Sequence, residues 1–410
     1  MACPLGIGRQ EFWSALMSGR SGIGRATLID ADGTPTPLIG EVRNFDPKRY
    51  VANRKSLKVM ARDAQLGMAA ASLACQDAAI VPGKVDPQRF GVVLGADPIQ
   101  SPIRETEASF GSCTVDGRFD FSLWGTKALA ACFPLSFLSV LPNMIASHVS
   151  IAHDARGPNN TIHHAEISSL LAVSEAASVI RRGAADVMLA GGASSQMHPM
   201  DFVRRWVTGG MSPRRDGPET VVRPFDAGRD GQVWSEGAAV LVLEDRRHAE
   251  ARGARILARV LGAAATCEPV RGYGQPHGDG LCRAMRQAMA RSGVAPHDLG
   301  HVNAHGLSTP AADRIEAQAL RRTAPDVPVT ALKSYFGNLG AAGAALELAA
   351  SVLSLGEGRV PATRNYDTPD PDCPIPVIHG DAMPSSAAAA MSVTWMASGP
   401  SAAVVLGRAD

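Results

Sequence analysis

Apolar residues in the chain recur with two distinct periods. From Lys55 to Ile80, Leu57, Met60, Ala64, Gly67, Ala71, Ala74 and Ala78 alternate spacings of three and four, which predicts one face of a long helix. That face is mostly Ala and Gly, so a neighbouring backbone can approach it closely. Phe90–Gly95 and Ala185–Gly192 are short apolar runs bounded by glycine and predict buried strands. Between them, Glu166 to Ile180 has helical periodicity, and Arg181-Arg182-Gly183 supplies cations for its last turn and a glycine for its cap. The second half repeats the pattern. A helix is predicted over Leu281–Ser292, strands over His301–His305 and Pro328–Leu332, and an Ala-rich helix over Gly343–Leu355 ended by Gly356. Strands alternating with helices in both halves predict an α/β fold with mixed, buried sheets, and residues 212–219 and 366–376 read as surface loops.

Composition narrows the possibilities. Of 410 residues, 45% are hydrophobic and only 19% charged, which points to a large core or a large subunit interface. With 40 Lys plus Arg against 39 Asp plus Glu there is no field to gather nucleic acid or an anionic membrane, so neither is an expected partner. Seven scattered cysteines without a C-x-x-C pair fit neither a disulfide framework nor a zinc ribbon, and a reducing cytoplasm is the expected location. The start of the chain lacks the basic region and long apolar run of a secretory signal. The most apolar stretch, Leu135 to Ala152, is broken by Pro142 and carries His148, so it reads as buried and not as membrane-spanning.

Four blocks carry candidate chemistry. They are Gly157-Pro-Asn-Asn-Thr-Ile-His-His-Ala-Glu166; Arg223-Pro-Phe-Asp226 with Arg229-Asp-Gly231 and Glu236-Gly-Ala238; Asn303-Ala-His305-Gly306 with Ser308-Thr-Pro310, Asp313 and Glu316; and Lys333-Ser-Tyr-Phe-Gly337-Asn338 with Gly340-Ala-Ala-Gly343. In this order and spacing the chain resembles the β-ketoacyl-acyl-carrier-protein synthases of fatty-acid and polyketide synthesis over nearly its whole length. The resemblance implies a thiolase-like fold. Two pseudo-symmetric halves, 1–255 and 256–410, would form α/β/α/β/α layers around mixed five-stranded sheets. The first N-terminal strand appears as a gap, since the usual opening strand is absent before Ala2, and an earlier start of the protein is the expectation that follows. A dimer is implied as well, with the strand Asp186–Gly192 pairing across its axis.

The same resemblance assigns the site. Glu166 occupies the place of the family's nucleophilic cysteine and Asn338 that of its second histidine, while His305 keeps the first histidine and Lys333 with Glu316 the supporting ion pair. Ala397, Ser398 and Gly399 fall in the gating and oxyanion loop, where Ala397 replaces a bulky gate. A carboxylate in the first turn of a helix gains roughly 0.3 to 1 kcal/mol from the macrodipole, so Glu166 is expected to be ionised unless burial opposes it. It attacks a thioester poorly, and its acyl product would be a hydrolysable anhydride. Asn338 can donate a hydrogen bond but can neither carry charge nor exchange a proton near neutrality.

Two readings follow. The chain is a non-condensing subunit, like the chain-length factors of aromatic polyketide systems, or it acts on acyl thioesters through a Glu166/His305 acid–base pair. In either case the implied partners are an acyl carrier protein bearing the substrate on 4′-phosphopantetheine and a second ketosynthase subunit, as a homodimer or with a cysteine-containing partner. No resident cofactor is implied. His163 and His164, adjacent on an extended segment, point to opposite faces, so no metal site is expected there.

Overall fold

The computed structural model describes residues 1–410 apart from 32, 35, 82, 102, 133, 196, 271–273 and 410, and apart from the side chains of 104 and 105. The first half contributes β1 (Ala2–Cys3), β2 (Phe90–Ala96), β3 (Asn159–Ile162), β4 (Val187–Ser194) and β5 (Gly237–Glu244); the second contributes β6 (Ala258–Cys267), β7 (Leu299–Asn303), β8 (Val329–Thr330), β9 (Ala389–Trp395) and β10 (Pro400–Arg408). Their orders, β1-β5-β4-β2-β3 and β6-β10-β9-β7-β8, are the same order repeated, and Gly6–Ile7 adds a short hairpin strand outside β1. Pairing repeats too. In each sheet the first two contacts are antiparallel and the last two parallel. This pseudo-two-fold repetition is the thiolase-like arrangement expected of the sequence.

Helices fill three layers. Helix α1 (Arg62–Asp77) and α2 (Met144–His153) cover the outer face of the first sheet, where Leu66, Ala70, Ile145 and Val149 pack on Val92, Leu94 and Leu189. Helices α3 (Ser168–Arg181) and α4 (Pro199–Thr208) follow β3 and β4. Helices α5 (Asp279–Ser292) and α6 (Pro310–Thr323) cover the outer face of the second sheet, with Leu281, Met285 and Leu320 against Val302 and Val393. Helix α7 (Gly343–Glu357) lies with α3 between the sheets, where Leu170, Val173, Leu348 and Val352 meet Val93 and Val404 from opposite sides. Apolar on most of its circumference, α7 has no face left for water.

The helix predicted from residue 55 begins at Arg62, because residues 54–59 form a tighter 3₁₀ turn. The Gly343 helix runs past Gly356 and is capped by Gly358 at φ 67°. Three expectations need correction. The chain opens with a two-residue strand, Ala2–Cys3, that meets β5 only at Ala2↔Ala238, whereas β6 in the equivalent place pairs with β10 from Ala258 to Cys267; the expected gap therefore lies at the flank of the sheet and not at its centre. Strand β4 cannot pair across a dimer axis, because β5 and β2 occupy both its sides; β3 is the strand with a free edge. The segment 135–152 is only partly buried: Ile145, Ala146 and Val149 are in the core, while Leu135, Phe137 and Ile151 are exposed. No helix among the described residues is long and apolar enough to cross a membrane.

Close approach of backbones sets the glycine requirement of β4. A Cβ on Gly191 would lie 2.0 Å from the Ala239 carbonyl oxygen of β5, an atom that cannot move without opening the ladder. Gly191→Ala should therefore destabilise the fold by about 2 to 4 kcal/mol, read as a lower urea midpoint, whereas Gly183→Ala, where a Cβ meets open space at φ +73°, should cost less than half as much.

Candidate functional site

Residues from both halves converge where the N-terminus of α3 faces the loops after β7 and β8. Glu166 sits in a 3₁₀ turn, Ala165–Ile167, that leads into α3, and Ala165 before it is held at φ +45°. Glycines make room for this turn: a Cβ on Gly95 of β2 would strike Ser168, and one on Gly192 of β4 would strike the Ala341 carbonyl. The predicted helix thus starts two residues later than Glu166, and the carboxylate is carried by a strained turn seated directly on the sheet.

His305 lies in the loop after β7 and is 1% exposed. Glu316 of α6 accepts the backbone N–H groups of His305 and Gly306 at 2.7 and 2.8 Å, which fixes the loop. Lys333 donates to His305 Nδ1 at 3.1 Å, to the His305 carbonyl at 2.7 Å and to Glu347 Oε1 of α7 at 2.5 Å, so its three donors are all engaged. The expected Lys333–Glu316 pair is therefore replaced by Lys333–Glu347. The reason is that Glu316 already spends both oxygens on backbone amides, while Glu347 comes up from the central helix with an oxygen free. Burial pushes Glu316 and Glu347 up to about 7, with Lys333 opposing the rise in both.

This arrangement decides the state of the imidazole. Lys333 Nζ and Thr394 Oγ1 both lie 3.1 Å from Nδ1, while Nε2 is buried and has no partner among the described residues; with an ammonium on Lys333, Nδ1 is the acceptor and Nε2 carries the ring proton. Burial, reinforced by the charge of Lys333, holds the His305 pKa well below that of an ordinary histidine. His305 is thus a neutral hydrogen-bond donor aimed into the site, and not a base.

Asn338 is equally fixed. Its Oδ1 accepts from the Gly340 N–H at 3.0 Å, and its Nδ2 donates to Gln232 Oε1 at 2.8 Å and reaches Glu166 Oε1 at 3.5 Å. Burial raises the Glu166 pKa above the usual carboxylate range. Asp97 adds to the rise, whereas Arg205 and the Asn338 contact oppose it. The dipole advantage expected for an ionised Glu166 is outweighed.

The three loop residues follow Thr394 of β9, whose Oγ1 lies 3.1 Å from His305 Nδ1. Met396–Gly399 is a tight turn between β9 and β10, with the Gly399 N–H bonded to the Met396 carbonyl. Ala397 and Ser398 are exposed, and no hydrogen bond ties any of the three to Glu166, His305 or Asn338 among the described residues. Sequence reasoning missed Asp97, Arg205, Gln232, Trp234 and Glu347. Glu347 could have been suspected as a lone acid within the Ala-rich helix 343–355. The others carry no local signal, since they reach the site only through the folding of β2, α4 and the segment before β5.

Chemically, the site offers the unpartnered His305 Nε2 beside a carboxyl group, with the Asn338 amide turned to Gln232 and Glu166. It can hold a carbonyl or oxyanion but has no thiolate. All seven cysteines are free, and none is hydrogen-bonded to Glu166, His305 or Asn338. Among the described residues no group of three His, Cys, Asp or Glu is placed to hold a metal ion.

Residues 1–249 match the family described as beta-ketoacyl synthase, N-terminal domain, and residues 257–367 match beta-ketoacyl synthase, C-terminal domain. The chain is 32% identical to 3-oxoacyl-[acyl-carrier-protein] synthase 2 of Coxiella burnetii, over 99% of this chain and 96% of the relative. Among solved structures it superimposes on the ishigamide ketosynthase/chain length factor with a TM-score of 0.87 at 28% identity, covering 100% of this chain and 97% of the other. It also superimposes, with a TM-score of 0.84 at 27% identity and the same coverage, on a type II polyketide synthase acyl-carrier protein in complex with its ketosynthase bound to the hexaketide.

Removing the ammonium of Lys333 strands a buried carboxylate. Lys333→Met should cost about 3 to 5 kcal/mol in urea unfolding, and adding Glu347→Gln should recover about 1 to 3 kcal/mol. Recovery by Glu316→Gln in its place would contradict the pairing.

Proposed function

The chain belongs to the beta-ketoacyl synthase family, whose members include relatives of fatty-acid and polyketide biosynthesis, and on that premise we propose that it is a non-condensing subunit. The observation that carries this reading is the carboxyl group of Glu166 where the resemblance calls for a nucleophilic thiol, faced by a neutral His305 that can donate but not abstract a proton. Condensation through an acyl-enzyme needs a good nucleophile that is also a good leaving group, and a carboxyl group is neither safe nor fast in that role. The alternative acid–base pair loses support for the same reason: with its proton on Nε2, His305 has no basic nitrogen directed at a substrate.

The pocket of such a subunit shapes or measures an acyl chain that a partner holds covalently. That partner is a cysteine-containing ketosynthase of the same fold, seated on the face where β3 leaves its edge open. Phe110, Phe119, Phe121, Leu135, Phe137 and Ile151 are exposed in the chain alone, large apolar side chains that a partner could cover. Residues of β3 keep unpaired backbone groups on one side, which a second strand would satisfy. The acyl group would arrive on the phosphopantetheine arm of an acidic acyl carrier protein in the cytoplasm. Arg43, Lys48, Arg49, Arg54, Lys55 and Lys58 are exposed on one segment with Asp46 as the acid among them, which supports electrostatic docking of an acidic carrier there.

The test combines assembly with turnover. The chain alone should leave malonyl- and acyl-carrier thioesters intact, and with a cysteine-containing ketosynthase it should form a one-to-one heterodimer by light scattering that elongates acyl chains. Thioester consumption by the isolated chain that disappears in Glu166→Ala would overturn the proposal.

A further inference from the structure

The acyl pocket contains a cation that the reading above does not use. Arg205 projects from α4 toward Glu166 and Asp97, and its guanidinium carbon lies 3.0 Å from the centre of the Trp234 ring. Trp234 is itself bridged, backbone to backbone, to Asn338, so this stack adjoins the site. The fold holds α4 in place through Phe202, Trp206, Met211 and Trp234, which form a small core of their own.

Arg205 makes no hydrogen bond or ion pair through its side chain among the described residues, and its Nε is buried without a partner. The Trp234 Nε1 is buried and unpartnered as well. Nearby acids do not relieve this. Asp97 accepts from the Ser194 hydroxyl and the Ala341 N–H, both at 2.8 Å; Asp201 is paired with Arg204 at 2.9 Å and with Gln100 at 3.2 Å; and Glu166 faces the Asn338 amide. The Arg205 Nε and Trp234 Nε1 are buried donors without a partner, which costs free energy unless a ligand with acceptor oxygens completes them, and the half-buried guanidinium leaves such a ligand a way in. A planar carboxylate matches the guanidinium fork in shape and charge, and a methyl-terminated chain offers it nothing.

We propose that Arg205 is a carboxylate receptor, so that the pocket selects acyl groups ending in a free carboxylate, the half-thioesters of dicarboxylic acids. This rests on the acyl-thioester reading of the site. The charge of such a ligand is met by Arg205 beside Glu166, whose proton affinity burial raises.

Calorimetric titration of the full chain with pantetheine thioesters tests it, comparing malonyl with propionyl and glutaryl with pentanoyl. At least one diacid should bind about tenfold or more tightly than its methyl-terminated match. The arm that shows the preference tells whether the ligand is a two-carbon extender or a longer diacid chain. Arg205→Met should reduce the preference to within about twofold, and Arg205→Lys, which keeps the charge but loses the planar fork and the Trp234 stack, should retain an intermediate preference. Should Arg205→Met fail to fold, a salt titration of the native chain decides: the diacid preference should fall with ionic strength. Equal binding of diacid and methyl-terminated thioesters, or a preference that survives in Arg205→Met or is indifferent to salt, overturns the inference and leaves the non-condensing reading standing. If no thioester of either kind binds, the acyl-thioester reading fails and the inference with it.

Discussion

Everything in the site depends on a buried chain of contacts from Glu347 through Lys333 to His305. The carboxylate rises from α7, the helix that both sheets enclose, and the imidazole belongs to a loop of the second sheet; Lys333 joins the two at 2.5 and 3.1 Å. Burial of an ion pair is weak ground for stability, because desolvating both partners offsets most of their attraction. Its consequence here is specificity. With every donor of Lys333 engaged and Thr394 beside it on Nδ1, the His305 ring is held in one orientation, with Nε2 left as its unpartnered nitrogen. The central helix thereby sets the hydrogen-bonding character of a group several elements away in sequence.

On the opposite wall, two influences compete at Glu166. The helix start favours a negative charge by at most about 1 kcal/mol, and the effect fades within the first turn. Burial and the neighbouring Asp97 act the other way and prevail, so proton affinity rises. Arg205, stacked on Trp234 instead of salt-bridged to the carboxylate, leaves that balance in place. The result is a site in which one carboxyl group of raised proton affinity lies beside the Asn338 amide.

Much of this was legible in the sequence because the period of apolar residues reports burial directly. Strands β2 and β4 and helices α3, α5 and α7 were found within two residues at most ends. The four motifs also located Glu166, His305, Lys333 and Asn338, which do converge. What could not be read was partnership across elements. Glu316 and Glu347 are both acids at helical spacing near a basic residue, and only the fold shows that one is consumed by backbone amides while the other is free to meet Lys333. Arg205 is one of two adjacent arginines with no motif around it, and Leu135, Phe137 and Ile151 lie in a stretch that reads as buried. Their faces are set by which side of α4 and of the 135–152 segment meets the sheet, and periodicity alone does not choose between sides.

The central claim is that the pocket binds acyl groups without taking them up covalently. Intact-protein mass spectrometry after incubation with an acyl-carrier thioester tests it most directly. The native chain should show no added acyl mass, and Glu166→Cys should gain a single acyl group at position 166. A stable acyl adduct on the native chain, at Glu166 or at any cysteine, would contradict the account.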